Sequence, residues 1–127
     1  DSIRAVIICP SNPFLSIDPI MAVPGMVDLL RSCGAPVVAV SPIVGGQALK
    51  GPTAKIMKEL GIEVDVQAIA DHYHGIIDGL VIDNKDRGQF ECVQATGVQV
   101  AVTNTVMLSL EDRKQLAQDV LSFTKKI

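Results

Sequence analysis

The sequence has no excess of positive charge. Eleven lysines and arginines stand against fourteen aspartates and glutamates, for a net charge of −3, and the pI is near 5.2. That excludes nonspecific attraction to nucleic acid or to an anionic membrane surface. Any phosphate the chain binds must be held by local geometry. No apolar run approaches the roughly 20 residues that a membrane-spanning helix needs, and no secretory leader pattern opens the chain. The expectation is a protein with neither nucleic-acid nor membrane partners. Cysteine is scarce, with Cys9, Cys33 and Cys92 far apart and odd in number. This argues against a disulfide framework or a zinc site and fits a reducing, cytoplasmic setting. Low-complexity segments and solenoid repeats are also missing. The chain opens Asp1-Ser2-Ile3-Arg4 without methionine and passes at once into a strand-like run. The expectation is that a tag or leader was removed, or that the chain is a piece of a longer protein.

What is present is a repeating alternation over 127 residues, 48% of them hydrophobic, which is enough for one domain with a core of its own. A short apolar strand, a polar or Gly/Pro-rich loop and a helix recur four times. The predicted strands are Ile3 to Cys9, Pro36 to Val40, Gly79 to Ile82 and Val98 to Val102. Their apolar runs are continuous and rich in β-branched residues, the pattern of strands buried on both faces in a parallel sheet. Between them lie helical segments. One runs from Met26 to Arg31 and stops at Gly34, and one runs from Pro52 to Leu60 and stops at Gly61. Another presents Val66, Ile69, Ala70 and Tyr73 on one face. A last helix has Ser109 as N-cap and Asp112 in a capping-box position, and runs to about Thr124. Strand-helix-strand units with parallel strands require right-handed crossovers and cover on both sides. The predicted architecture is therefore α/β, a three-layer sandwich with a mostly parallel, Rossmann-like sheet, formed by residues 1–127 as a single domain.

In such sheets ligands bind beyond the carboxyl ends of the strands. Ser11, Asn12, Ser41, Asp83, Asn84, Thr103 and Asn104 all fall at those ends, although these residue types also serve as turn residues and caps. Two stretches there carry candidate chemistry. In Ser41 to Pro52, "SPIVGGQALKGP", Gly45-Gly46 lets the backbone approach a ligand and turn N–H groups toward an anion. Lys50 supplies a charge for a phosphate, and Gly51-Pro52 starts a helix. The Gly-Lys-Ser/Thr order of a Walker loop is absent. The simpler alternative is a flexible surface connector. In Cys9 to Ile20, three prolines preset the path. Ser11 and Asn12 offer uncharged donors and acceptors for a base edge, a ribose or a flavin-like ring. The alternative is a rigid turn with Asn12 bonding its own backbone. His72 and His74 stand two apart on a predicted helix, so they face apart and read as surface histidines. Asp83 and Asp86 could place a carboxylate near a metal at a strand end, but read first as caps; Cys9 reads as a buried, inert thiol, and Met21, Met26 and Met57 as core filling.

The blocks "CPSNPFLSIDPIMAVPGM" and "VVAVSPIVGGQALKGPTAKIMKELG", followed by "GLVIDNKD" and "VAVTNTVMLSLEDRKQLAQDVL", resemble the carboxyl-terminal half of the 2-phospho-L-lactate transferase family, which builds coenzyme F420. The resemblance covers nearly the whole chain. It implies a transferase that moves a phospholactyl or phosphoenolpyruvyl group from a GDP-linked donor to the deazaflavin FO. GMP leaves, and magnesium assists. Family members are more than twice this length and begin with a Gly-rich strand-turn-helix that this chain lacks, so the chain is expected to be the C-terminal part of a longer enzyme. Alone it is expected to be inactive, and to dimerise through an exposed sheet edge if it persists. The expected substrate-binding residues are Ser11, Asn12, Ser41, Gly45, Gly46, Lys50 and Gly51, with catalytic residues and metal ligands unassigned. The alternative is a non-enzymatic, nucleotide-sugar-binding regulator of the same superfamily; the Ser16 to Ile20 and Lys50 to Pro52 blocks favour the transferase. A receiver-like module would need paired acids at the end of the first strand, and Val6-Ile7-Ile8-Cys9 has none.

Overall fold

Val37–Val40 (β2) is buried along its whole length, because its alternate residues feed two different cores. Val37 and Ala39 face one side with Ile8, Leu80 and Ile82; Val38 and Val40 face the other with Val81. This is why the strand reads as an unbroken apolar run. The computed structural model describes residues 2–49 and 51–127. Around β2 it builds a four-stranded sheet with β1 (Val6–Ile8), β5 (Gly79–Asp83) and β6 (Gln99–Thr103). The order is β1-β2-β5-β6, and every pairing is parallel. The first strand is shorter than its sequence suggests. Its ladder starts where Val6 N donates to Pro36 O at 2.9 Å, and Pro36 has no N–H to carry the pairing lower.

Most helices lie over one face of the sheet. These include α1 (Asp18–Met21), α3 (Thr53–Glu59), α4 (Val66–His72) and α5 (Phe90–Gln94), while α2 (Met26–Ser32) packs beside α1 and buries no residue of its own. Met57, Val66, Ile69, Ala70, Tyr73 and Val93 from this layer pack on Val37, Ala39, Leu80 and Ile82. Among the described residues the other face carries α6 (Leu110–Thr124) alone, which buries Leu116, Val120 and Phe123 on Val38, Val40 and Val81. Its start is the expected capping box, with Asp112 N donating to Ser109 Oγ at 3.1 Å and Ser109 N donating to Asp112 at 3.2 Å. The α/β three-layer expectation holds, with a third layer one helix wide. Ile7, beside Val38 in register, lies beyond its reach and is 39% exposed. Among the described residues, no single helix is long and apolar enough to cross a membrane.

Three local readings need correction. The stretch after β2 is not a flexible connector throughout. Ile43–Val44 (β3) and Gln47–Ala48 (β4) form an antiparallel hairpin, with Ile43 and Val44 in the core. Gly45 and Gly46 are its two-residue loop, at φ of 58° and 74°; two positive φ values in succession make a type I′ turn, which favours glycine at both positions. Pro13–Ile17 is a π-helical turn leading into α1, where the sequence suggested only a proline-restricted path. Cys9, read as buried, is exposed, and all three cysteines are free.

Gly79 shows how closely α6 approaches the sheet. A Cβ there would sit 2.6 Å from Phe123 Cε1 and 2.9 Å from Cζ. Gly79→Ala should cost about 1–3 kcal/mol by overpacking. In a Phe123→Leu background the added cost should shrink, because the clashing ring is gone. Urea unfolding of the four chains of this cycle measures it; equal costs in both backgrounds would mean that the ring is not the obstacle.

Candidate functional site

Three chain segments leave the carboxyl edge of the sheet side by side. The first follows β1 through Pro10, Ser11 and Asn12; the second follows β2 from Ser41 to Pro52; the third follows β6 through Thr105 to Leu108. Together they line a cleft of about 610 Å³. A larger depression of about 830 Å³ opens at the amino ends of the strands, among the turns at Gly34, Gly75 and Gly97. The site is assigned to the carboxyl edge, where a parallel sheet presents its loops and helix starts to a ligand.

Ser11, Asn12, Ser41 and Gly51 meet in this cleft. Asn12 is committed on one side only. Its Oδ1 accepts from Phe14 N at 3.0 Å and Leu15 N at 3.1 Å, capping the π-helical turn. The rigid-turn alternative is therefore correct for the oxygen. The two donors also fix the amide orientation, and they leave Nδ2 buried with no partner among the described residues. A buried donor without an acceptor costs about 1–3 kcal/mol, so it needs a physical explanation. Ser41 is spent internally: Ile43 N donates to its Oγ at 3.1 Å, and its own N–H donates to Val81 O at 2.9 Å. Gly51, at φ of 72°, turns the chain into α3. Gly45 and Gly46 do not line the cleft; they form the hairpin tip, and the Gly45 N–H donates to both carboxylate oxygens of Asp86, at 3.1 and 3.0 Å. Lys50 lies outside the described residues.

Two buried acids, Asp83 and Asp86, build the cleft from below, and capping is only part of their role. Asp83 does cap the turn that follows β5, accepting from Lys85 N at 3.0 Å. Its other oxygen accepts from Thr105 N at 2.8 Å and Thr105 Oγ1 at 3.2 Å, which ties the third wall to β5. Asp86, read as a cap, instead holds the hairpin of the second wall. The only signal for these links was their placement at a strand end, since a bond to a backbone N–H 41 residues away leaves no mark in the sequence. The first wall is tied separately. Asp18 and His72 Nε2 are 2.7 Å apart, and the Phe14 ring packs edge-on against His72 at 4.9 Å. His72 is thus no plain surface histidine, and the helix ends before His74. Burial pushes the neighbouring Tyr73 hydroxyl well above its ordinary range, and the charge on Asp18 adds to this; the phenol stays neutral.

Burial also raises the Asp86 carboxyl. The Gly45 N–H opposes this, and the nearby charge of Asp83 reinforces it. A carboxyl raised in the folded state takes up its proton before the unfolded chain does. Its contribution to stability is therefore present at low pH and is lost as pH rises through the raised value. The chain should gain stability relative to Asp86→Asn as pH falls from neutrality toward about 4, the ordinary aspartate range. Urea unfolding of both proteins across that interval reads the difference, and a pH-independent gap would contradict it.

No group of three or more His, Cys, Asp or Glu side chains suited to a metal ion occurs among the described residues. Asp83 and Asp86 are spent on backbone donors. The described residues therefore do not fit a metal centre of their own.

The match to known proteins runs along nearly the whole chain. The family model for "2-phospho-L-lactate transferase CofD" matches residues 2–123. The chain is 45% identical over 122 residues to the 2-phospho-L-lactate transferase of Methanococcoides burtonii, covering 96% of this chain and 39% of that protein. It is 44% identical over 118 residues to the enzyme of the same name from Methanocaldococcus jannaschii, covering 93% and 36%. It is 33% identical over 127 residues to a phosphoenolpyruvate transferase of Streptomyces griseus, covering 99% and 40%. The chain spans about two fifths of the length of these curated relatives. On this match the chain belongs to the 2-phospho-L-lactate transferase CofD family.

Proposed function

We propose that the chain is part of a transferase of coenzyme F420 biosynthesis that moves a phospholactyl or phosphoenolpyruvyl group from a GDP-linked donor to a hydroxyl of the deazaflavin FO. The observation that carries this reading is the match of the family model to residues 2–123 of a chain whose sheet opens a cleft at its carboxyl edge. In the reaction, the acceptor oxygen forms a bond to the phosphorus that bears the three-carbon group. The bond from that phosphorus to the bridging oxygen breaks, GMP leaves with the electron pair, and the hydroxyl proton is released. Magnesium, implied by the resemblance, would accompany the diphosphate of the donor. The relatives, named as 2-phospho-L-lactate and phosphoenolpyruvate transferases, favour this reading over the nucleotide-sugar-binding regulator. A homodimer through an open edge of the sheet, and a cytoplasmic setting, belong to the same proposal.

The direct test incubates the full-length protein with each GDP-linked donor and FO, and follows GMP release and the new phosphodiester by mass. Absence of both products with either donor would refute the reading. The phosphate end of the donor is assigned to the Ser41 to Pro52 segment, on the grounds of Lys50 and Gly51 in the sequence. Lys50→Ala should weaken GDP binding about ten- to a hundredfold, the scale of a lost hydrogen bond to a charged group, and should spare FO. Calorimetric titration of GDP in magnesium checks this. Unchanged affinity would remove the phosphate from this loop.

A further inference from the structure

We infer that Asp119, on α6 and outside the cleft, is a positioning residue of the proposed transferase: through the hydroxyl of Thr103 it sets the point at which β6 releases the third wall. This deepens the transferase reading and rests on it. Thr103 is the last residue of β6. Its Oγ1 donates to Asp119 Oδ2 at 2.5 Å, the length of a charge-assisted O–H···O⁻ bond. The other oxygen of Asp119 accepts from Gln115 Nε2 at 2.9 Å, one turn earlier on the helix. Both carboxylate oxygens are engaged, so the side chain is held in one orientation. Asp119 lines a separate groove between β6 and α6, with Ser122 and Phe123, so its route to a substrate runs through Thr103.

The segment that follows has no regular structure from Asn104 to Leu108, yet its backbone is tied along its length. Thr105 N donates to Asp83 at 2.8 Å and Val106 N to Asn104 Oδ1 at 3.1 Å. Leu108 N and Ser109 N both donate to Asp112 Oδ2, at 3.0 and 3.2 Å. Side chains here supply the acceptors that a strand or helix would supply from backbone. Two of these anchors, Asp112 and Asp119, stand two turns apart on one helix, about 10 Å along its axis. The chain from Thr103 to Leu108 can stretch to about 17 Å. The wall is therefore held with slack between two fixed points, and the tie from Thr105 to Asp83 draws that slack toward β5. Loss of the Asp119 anchor frees the near end while the other two ties remain. A displacement of about 1 Å at a reaction site is enough to lower the rate by about a hundredfold.

The experiment uses the full-length protein with each GDP-linked donor and FO, reads GMP release, and takes thermal melting as the control for folding. Asp119→Ala and Thr103→Val remove the tie from its two ends, the second with little change of shape. Each should lower kcat/KM about ten- to a hundredfold at a temperature where the variant is folded. The double variant should be no worse than either single one, because both act through one bond. Asp119→Asn keeps an oxygen for Thr103, and the Gln115 amide can turn its own oxygen toward the new amide, so this variant should keep most of the activity. A lower melting temperature with kcat and KM at the parent's values would confine the tie to stability and overturn the proposal. Losses in the two single variants that multiply in the double would overturn it as well, since Asp119 would then act by another route. In both cases the parent's own turnover leaves the transferase reading standing. If the parent releases no GMP from either donor, that reading fails and this proposal falls with it.

Discussion

A parallel strand buried on both faces has no place for a polar side chain except at its ends. Everything in this molecule follows from that constraint on β2 and β5. The runs Val37–Val40 and Gly79–Ile82 are wholly apolar because each residue is enclosed by one core or the other. Polar residues therefore accumulate where the strands stop. The chemistry of the fold collects at the carboxyl edge because that is where the loops to the next helices begin. The same two-sided burial makes Gly79 necessary, since α6 approaches β5 so closely there that no Cβ fits beside Phe123.

The edge would be a set of loose loops without its two acids. Asp83 and Asp86 lie within one turn of each other, nearly without solvent contact, and each reaches a different wall of the cleft. Both spend their oxygens on donors from the backbone. Carboxylates used this way place loops, at the cost of desolvating a charge. This differs from the arrangement that the glycines of the hairpin suggested. Gly45 and Gly46 give the turn its shape, and the N–H of Gly45 points to a side chain of the protein itself. The first wall is held by other means, through the Asp18–His72 pair and the aromatic contact of Phe14.

The fold was largely legible because its signals are local. Continuous β-branched runs, Gly61 after a helix and the Ser109–Asp112 capping box each act within a few residues, and each element appears where they put it. The hairpin at 43–48 was hidden because glycine-rich polar sequence reads equally as connector or as turn; only the burial of Ile43 and Val44 decides. The site was legible in outline, through the strand-end rule and the sequence blocks, which brought Ser11, Asn12, Ser41 and Gly51 to one cleft. What could not be read were the long-range ties, from Asp86 to Gly45, from Asp83 to Thr105 and from His72 to Asp18. Each depends on where tertiary structure brings a side chain, and nothing in the local pattern distinguishes such an acid from a cap. The apolar rim of the cleft was equally silent, since Leu15, Leu49 and Leu108 look in sequence like core residues.

The order of the strands in space, β1-β2-β5-β6, is also their order along the chain. Each crossover thus joins strands that end as neighbours, and no strand must be threaded between two others already paired. During synthesis, β2 can dock on β1, and β5 on β2, before the residues of β6 exist. Loop closure is then met in modest steps rather than all at once, which favours rapid pairing for a parallel sheet. The one late event is α6. Among the described residues it alone covers the second face of the sheet, so Val38, Val40 and Val81 stay bare until it docks. Until it docks, that face is the part of the sheet most prone to aggregate.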